Sequence, residues 1–551
     1  MQIDNEFLNY DLIIIGGGIN GTGIARDAAL RGIKTILIEQ DDIASGATGA
    51  CSGMIHGGAR YLISDREVTK LSSVDSGYIQ YIASHLIFRI PFIHPVHNEY
   101  PNKKFFIETF ETFFSAYDEF QPYKNGKQHT RLTQEEVAEL HPGITKDIIG
   151  AVTFDEWGVD PFRLALLNAV SAAENGATIS THTKVLDIIK KDNEVTGVKV
   201  FDKQSKRIYE IKGKVIVNAV GSWSNIFADK FNLTVKIRPA KGVHLVIGRR
   251  LSNYAVGVFA IDNRVIFIMP HKNTTIIGTT DDDFYGDPGD IPITSDEVNY
   301  LLTSVEKIIP DIKKHRIIRA FAGVRPTIYD EYMMEDDLSR DHLIIDHKAV
   351  DNIGNLYSVI GGKLAAFRFI SEEVVDIISE KLSVNISSKT SMTPLPGSEK
   401  SINVRELSHK YKLSFFALNK LYTKYGDRML IILNMMKNEN SSKVNICKCE
   451  SITEAEIRYV IKYELARTLD DIRRRTRAGM GTCQGTGCTL AIGNILKDEL
   501  NLSFEDEMTE VKSFIKERYH GNKPILNNNV SIQQIELNMA NNMLLTGLDI
   551  D

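Results

Sequence analysis

Three glycines and one carboxylate stand at separations that suit a dinucleotide. Gly16, Gly18 and Gly21 form G-x-G-x-x-G within "YDLIIIGGGINGTGIARDAALRGIKTILIEQ", and Glu39 follows 18 residues after Gly21. In such a loop one glycine permits the turn, one lets backbone approach a pyrophosphate, and one lets helix and strand pack closely. A carboxylate at Glu39 accepts hydrogen bonds from an unphosphorylated ribose diol, as in NAD or FAD, and the loop alone does not separate the two. A second chemistry is written far along the chain. Four of the five cysteines form Cys447-x-Cys449 and Cys483-x4-Cys488, with 33 residues between the pairs. Four thiolates suit zinc or an iron–sulfur cluster, and a C-x-C pair leaves the metal open on spacing alone.

The elements that position these residues follow from periodicity. Leu12 to Ile15 is an apolar, β-branched run, the glycines follow, and Ile24, Ala28 and Ala29 recur at helical spacing. Lys34 to Glu39 is again β-branched, so the segment predicts a βαβ unit with a parallel second strand and a helix N-terminus facing the phosphates. Between the cysteine pairs, Ile457, Val460, Ile461, Leu465, Leu469 and Ile472 predict amphipathic helices, with Thr453 and Glu456 as a capping box. Turn, helices and a glycine-rich turn would bring both pairs together. Residues 44–62, "ASGATGACSGMIHGGARYL", are too poor in large apolar side chains to be core and read as backbone laid against a ligand. The aromatic stretches "HLIFRIPFI" and "FFIETFETFF" predict buried helix, the alternative being a patch facing a membrane or a partner.

Composition sets the limits. A chain of 551 residues, 43% apolar and 25% charged, builds a sizeable core and several domains. With 65 Lys plus Arg against 71 Asp plus Glu, no basic excess points to nucleic acid. No apolar run reaches the roughly 20 residues that span a bilayer, and "MQIDNEFLNY" has no signal-peptide pattern. The expected location is cytoplasmic, or peripheral on the inner face of the cell membrane. Five cysteines make no disulfide scaffold and favour metal or redox work in a reducing compartment.

From "SGATG" and "HGGARY" onward the sequence resembles the glycerol-3-phosphate dehydrogenase flavoproteins. "DPFRLALLNAV", "VIVNAVGSWS", "PAKGVHLV", "IIGTTD", "FAGVRP", "GGKL" and "PLPGS" carry the resemblance in that family's order. It implies FAD as cofactor, with contacts from Gly46, Thr48, Gly221 and Gly362, and sn-glycerol 3-phosphate as substrate. That substrate needs donors for its phosphate and a base for its C2 hydroxyl. Arg60 and Arg325 match the phosphate positions, since a guanidinium binds phosphate oxygens in pairs, and Tyr61 adds a donor. Lys363 matches a lysine beside flavin and substrate whose charge would stabilise the reduced, anionic flavin. His56 and His244 are the candidate bases. After "GGKL" the family shows hydroxyl or thioether residues where this chain has Ala365 and Ala366, so a side-chain contact is lost there.

"CKCE" and "RRRTRAGMGTCQGTGC" are similar to the [2Fe–2S] module of the bacterioferritin-associated ferredoxin type, which is appended to the catalytic subunit of anaerobic members of the family. The resemblance makes Cys447, Cys449, Cys483 and Cys488 the cluster ligands, an electron exit towards partner subunits and a quinone. Cys51 reads as a small packing residue. The expected fold is α/β: an FAD-binding, Rossmann-like body of the D-amino-acid-oxidase or glutathione-reductase type over residues 1–390. Its flavin-binding parts are about 1–90, 145–235 and 330–390, and a substrate domain on a mainly antiparallel sheet is mainly 236–330. A linker at 393–401, a small helical domain at 402–440, a helical iron–sulfur domain at 445–500 and a helical, polar tail at 501–551 follow. The alternatives are an oxidase that makes hydrogen peroxide, or a dehydrogenase of another small hydroxy acid.

Overall fold

The computed structural model describes residues 9–63, 65–100, 102–332, 341–439, 441–528 and 532–547. The expected βαβ unit is present. Strand β1, Asn9–Ile15, runs parallel to strand β2, Thr35–Ile38, and helix α1, Ile19–Leu30, crosses between them. Leu12, Ile13 and Ile14 are fully buried, the consequence of a parallel sheet covered on both faces. Strand Arg207–Asn218 lies parallel on the other side of β1, and Leu356–Gly361 lies parallel beyond it, with His342–Asp346 as an antiparallel edge. Thr178–Ser180 extends the sheet past β2.

A second, mainly antiparallel sheet stands against the first. Strand Ile237–Ile247 pairs with Ile317–Ile328 along almost its whole length and with Thr274–Gly278 on its other edge. This sheet also recruits Phe88–His97, Arg131–Leu132 and Ile148–Gly158, all outside the 236–330 range expected for it. The helix expected over "HLIFRIPFI" is therefore corrected: residues 88–97 are a strand. Pro91 and Pro95 explain it, because proline cannot donate the helical hydrogen bond and its ring crowds the preceding turn. The second aromatic stretch is a helix, Lys103–Tyr117, but not the buried one expected: Ile107, Phe114 and Tyr117 are buried and the remainder is exposed or half-buried.

Glu39 closes β2 and is built into the turn rather than left pointing outward. Its Oε2 accepts from the Gly17 amide at 2.6 Å and its Oε1 from the Asp41 amide at 2.8 Å. Burial pushes its carboxyl up to about 7; those two backbone donors oppose the shift, and the charges of Asp41 and Asp42 add to it.

The C-terminal third is helical. Helices Val404–Tyr411, Phe415–Tyr425 and Met429–Asn438 precede a small hairpin of Asn445–Cys447 and Ile452–Thr453. The Thr453–Glu456 capping box opens Glu454–Tyr463, and a break at 464–468 separates it from Leu469–Thr476. This region is docked by buried ion pairs. Arg475 holds both Asp42 oxygens at 2.8 Å, Arg163 holds both Glu464 oxygens at 2.5 and 2.9 Å, and His182 bonds Asp471 at 3.0 Å. The connector at 393–401 is pinned too: the Leu395 amide donates to Ile82 O, and the Asp427 amide donates to Gly397 O. No helix among the described residues is long and apolar enough to cross a membrane.

Removing one member of a buried ion pair strands the other, at a cost of about 3–5 kcal/mol. Arg163→Ala should therefore lower the midpoint of chemical denaturation, and Arg163→Ala with Glu464→Gln should recover part of the loss in a double-mutant cycle. Glu39 makes a second prediction. Its folded pKa lies above its ordinary value of 4.5, so the native state holds the extra proton between pH 4.5 and about 7, and stability falls as pH rises through that window. In flavin-free protein, Glu39→Gln should remove that fall, changing the stability difference from wild type by on the order of 3 kcal/mol across the window in urea titrations.

Candidate active site

The glycine turn leaves no room for side chains on its inner side. Gly16 has φ +111°, and a Cβ on it would lie 2.5 Å from Ala219 O; a Cβ on Gly21 would lie 2.0 Å from Gly16 O. Gly18 differs, its nearest neighbour being Thr48 Oγ1 at 3.4 Å, so its open side faces a cavity. Thr48 Oγ1 accepts from the Ile19 amide at 3.0 Å, taking one of the donors at the start of α1. The residues present fit a dinucleotide: a helix N-terminus, an open glycine face and a buried carboxylate border one cavity of 1060 Å³.

That cavity extends from the turn to the expected substrate residues, and His56, Tyr61, His244, Arg325 and Lys363 all line it. Glycines shape the intervening wall. Gly361 and Gly362 have φ +75° and +86°, bringing the chain round from strand Leu356–Gly361 to Lys363. Lys363 Nζ donates to Gly57 O at 3.0 Å and stands 5.1 Å from the Tyr61 ring centroid. A Cβ on Gly46 would meet Trp223 at 2.8 Å, so that turn packs beneath the indole; Gly221, at φ +57°, starts the short helix Gly221–Trp223.

Arg325, on strand Ile317–Ile328, is ion-paired through Nη1 with Asp281 Oδ1. Its side chain is one-third exposed, whereas Asp281 is buried. "IIGTTD" ends in Asp281, but a pairing across 44 positions has no local signal in the sequence. Both candidate bases are neutral. Burial pushes His56 well below its ordinary value, helped by the charges of Lys363 and Lys124. Burial lowers His244 to about 3, with the Arg325 charge adding to it. His244 lies flat on Phe321 at 4.8 Å between centroids, and its buried Nδ1 has no hydrogen-bond partner among the described residues. Arg60 belongs to the short helix Ala59–Tyr61, but its side chain lies outside the described residues.

An apolar roof covers the site. Phe92, Phe154 and Phe114 stack at 4.6 Å intervals, and Phe110 and Phe113 also line the cavity. The aromatic helix thus turns Phe110, Phe113 and Phe114 inward against Phe92 and Phe154 of the sheet, while its Phe105 is 72% exposed. Ala365 lines the cavity and Ala366 is buried beside it, so no hydroxyl enters from that turn. Cys51 also lines the cavity; burial raises its thiol to about 11, and it donates to Thr48 O at 3.1 Å.

The other four cysteines are free thiols gathered in two pairs. Cys447 and Cys488 lie close enough to perturb each other's thiols, and so do Cys449 and Cys483. The neighbouring Cys488 thiol lowers Cys447 to about 6, and Cys447 in turn raises Cys488. Among the described residues no three His, Cys, Asp or Glu side chains are grouped to hold one metal ion.

Residues 11–365 match the family described as FAD dependent oxidoreductase, and residues 388–507 match the C-terminal domain of alpha-glycerophosphate oxidase. One subunit of the anaerobic glycerol-3-phosphate dehydrogenase of Haemophilus influenzae is 31% identical, over 95% of this chain and 91% of that protein. The protein of the same name from Escherichia coli K12 is 32% identical over 94% and 93%. The structure of the FAD-complexed glycerol-3-phosphate dehydrogenase from Bacillus halodurans superposes with a TM-score of 0.72 at 23% identity, covering 94% of this chain and 96% of that one. The chain belongs to the FAD dependent oxidoreductase family, among its FAD-dependent glycerol-3-phosphate dehydrogenases.

Proposed function

We propose that the chain oxidises sn-glycerol 3-phosphate to dihydroxyacetone phosphate with FAD, its electrons leaving through a [2Fe–2S] cluster to a partner subunit or a quinone. The observation that carries the reading is the convergence of His56, Tyr61, His244, Arg325 and Lys363 on the cavity that starts at the dinucleotide turn. FAD, when bound, supplies the hydride acceptor. Arg325, oriented by Asp281, offers the phosphate a charged fork; Arg60 and Tyr61 are the proposed further donors. A neutral imidazole of His56 or His244 takes the C2 hydroxyl proton. Lys363 contributes a fixed positive charge between that turn and the substrate, and the phenylalanine roof keeps water from the reacting carbon.

The gathering of Cys447, Cys449, Cys483 and Cys488 as free thiols supports the cluster, because these four side chains would hold it as thiolates. The cluster, when bound, supplies one-electron carriage. In this reading the flavin-binding parts are about 1–90, 145–235 and 330–390, and the cluster module is 445–500. The relatives are each named as one subunit of a larger enzyme, which supports partner subunits here, and membrane association would come through them. The match of residues 388–507 to an oxidase domain favours a second reading, in which oxygen takes the electrons and peroxide forms.

In an anaerobic titration, sn-glycerol 3-phosphate should bleach the oxidised-flavin bands, and iron and sulfide should each approach two per chain. A flavin that stays oxidised removes the substrate assignment, and stoichiometric peroxide in air selects the oxidase. Arg325→Ala should raise KM at least about 10-fold with flavin content unchanged, since a charge-assisted hydrogen bond contributes about 1.5–3 kcal/mol. Steady-state kinetics with a flavin assay would check it, and an unaltered KM would take Arg325 out of the phosphate site.

A further inference from the structure

Behind the turn that carries His56 and Tyr61 lies a buried polar cluster that no part of the proposed chemistry uses. Lys124 is fully buried, and its Nζ donates to Glu156 Oε2 at 2.6 Å, to Tyr117 Oη at 2.9 Å and to Asp155 O at 3.2 Å. Tyr117, also fully buried, donates its hydroxyl to Glu156 Oε1 at 2.5 Å. Three elements meet here: Tyr117 ends helix Lys103–Tyr117, Lys124 ends the 3-10 segment Asp118–Lys124, and Glu156 comes from strand Ile148–Gly158. Desolvating a lysine and a glutamate costs several kcal/mol per ion, and apolar residues of similar volume are often as stable or more so. Packing alone does not account for this cluster.

Its outer side touches the turn. The Tyr117 hydroxyl lies directly behind Gly57, in the turn that leads into the short helix Ala59–Tyr61. Contact is close enough that a Cβ on Gly57 would lie 2.6 Å from Tyr117 Oη and 2.4 Å from Ser73 Oγ. From the opposite side Lys363 Nζ holds Gly57 O. The turn is therefore gripped between the cluster and Lys363, and Glu156 itself reaches the cavity wall.

We propose that Tyr117, Lys124 and Glu156 are positioning residues, a buried clamp that fixes residues 56–61 so that His56, Tyr61 and the Gly57–Gly58 backbone meet the bound substrate and flavin in register. The proposal rests on the reading of that turn as part of a glycerol 3-phosphate site. Tyr117 acts through the backbone it holds and touches no reacting atom.

The test uses the full-length, flavin-loaded protein and Tyr117→Phe, which keeps the ring and deletes the hydroxyl. Hydrogen–deuterium exchange of peptides covering 55–63 should rise at least 3-fold, and the visible band of the bound flavin should shift before any substrate is added. A misplacement of about 1 Å costs on the order of 100-fold in rate, so kcat for glycerol 3-phosphate should fall 10- to 100-fold, while KM changes less. If Tyr117→Phe does not fold, Glu156→Gln, which keeps the shape and one acceptor, should show the same direction of change in exchange and spectrum. Wild-type exchange, wild-type flavin spectrum and unchanged kcat in the variant that folds would overturn the clamp. Wild-type flavin that glycerol 3-phosphate fails to reduce would overturn the substrate reading instead, and the exchange and spectral arms would still decide the clamp.

Discussion

Backbone packed directly on backbone at the glycine turn is the constraint on which the rest of the site depends. With a Cβ at Gly21 the start of α1 could not approach Gly16, and with one at Gly16 strand β1 could not pass beneath Ala219, the residue that follows strand Arg207–Asn218. Because both approaches are made, the first amides of α1 open onto the cavity, and Glu39 and Thr48 fold over to take two of the turn's donors. Everything downstream is measured from there. The second sheet is held over the cavity, its strands Ile237–Ile247 and Ile317–Ile328 carrying His244 and Arg325 to the wall opposite the turn.

Charge burial organises the remainder. Arg475 with Asp42, and Arg163 with Glu464, fasten the C-terminal helices to the dinucleotide-binding body through pairs that are nearly inaccessible to water. Such pairs are costly to bury, but a bidentate guanidinium fixes orientation in a way that an apolar contact does not. Asp42 stands three residues from Glu39, so the acidic end of β2 serves the dinucleotide turn on one side and the cysteine-bearing region on the other. The cavity follows the same rule with the opposite outcome. There, burial and the charges of Lys363 and Arg325 keep His56 and His244 neutral, the form in which imidazole accepts a proton.

Local patterns in the chain encode local structure, and those were legible. The G-x-G-x-x-G spacing, the β-branched runs around it, the acid at Glu39 and the Thr453–Glu456 capping box all operate within a few tens of residues, and each stands where its spacing places it. What failed was also local in cause. "HLIFRIPFI" has the apolar density of a buried helix, but Pro91 and Pro95 outweigh that density and hold the segment extended. The extent of the second sheet was invisible, because pairing of Phe88–His97 with Ile148–Gly158 and with Ala255–Phe259 depends on partners far apart in the chain.

By itself, then, the sequence determined the dinucleotide unit, because glycine spacing and strand and helix periods are properties of short segments, while the family and its candidate site residues were legible only through resemblance of whole motifs. Tertiary structure alone decided which residues share a wall. It paired Arg325 with Asp281, brought Cys447 near Cys488 and Cys449 near Cys483, and set Tyr117, Lys124 and Glu156 behind the turn at His56. Those contacts bridge separations of 7 to 44 residues and more than one element, and the hydrogen bonds and desolvation that fix them exist only once sheets and helices have closed around them.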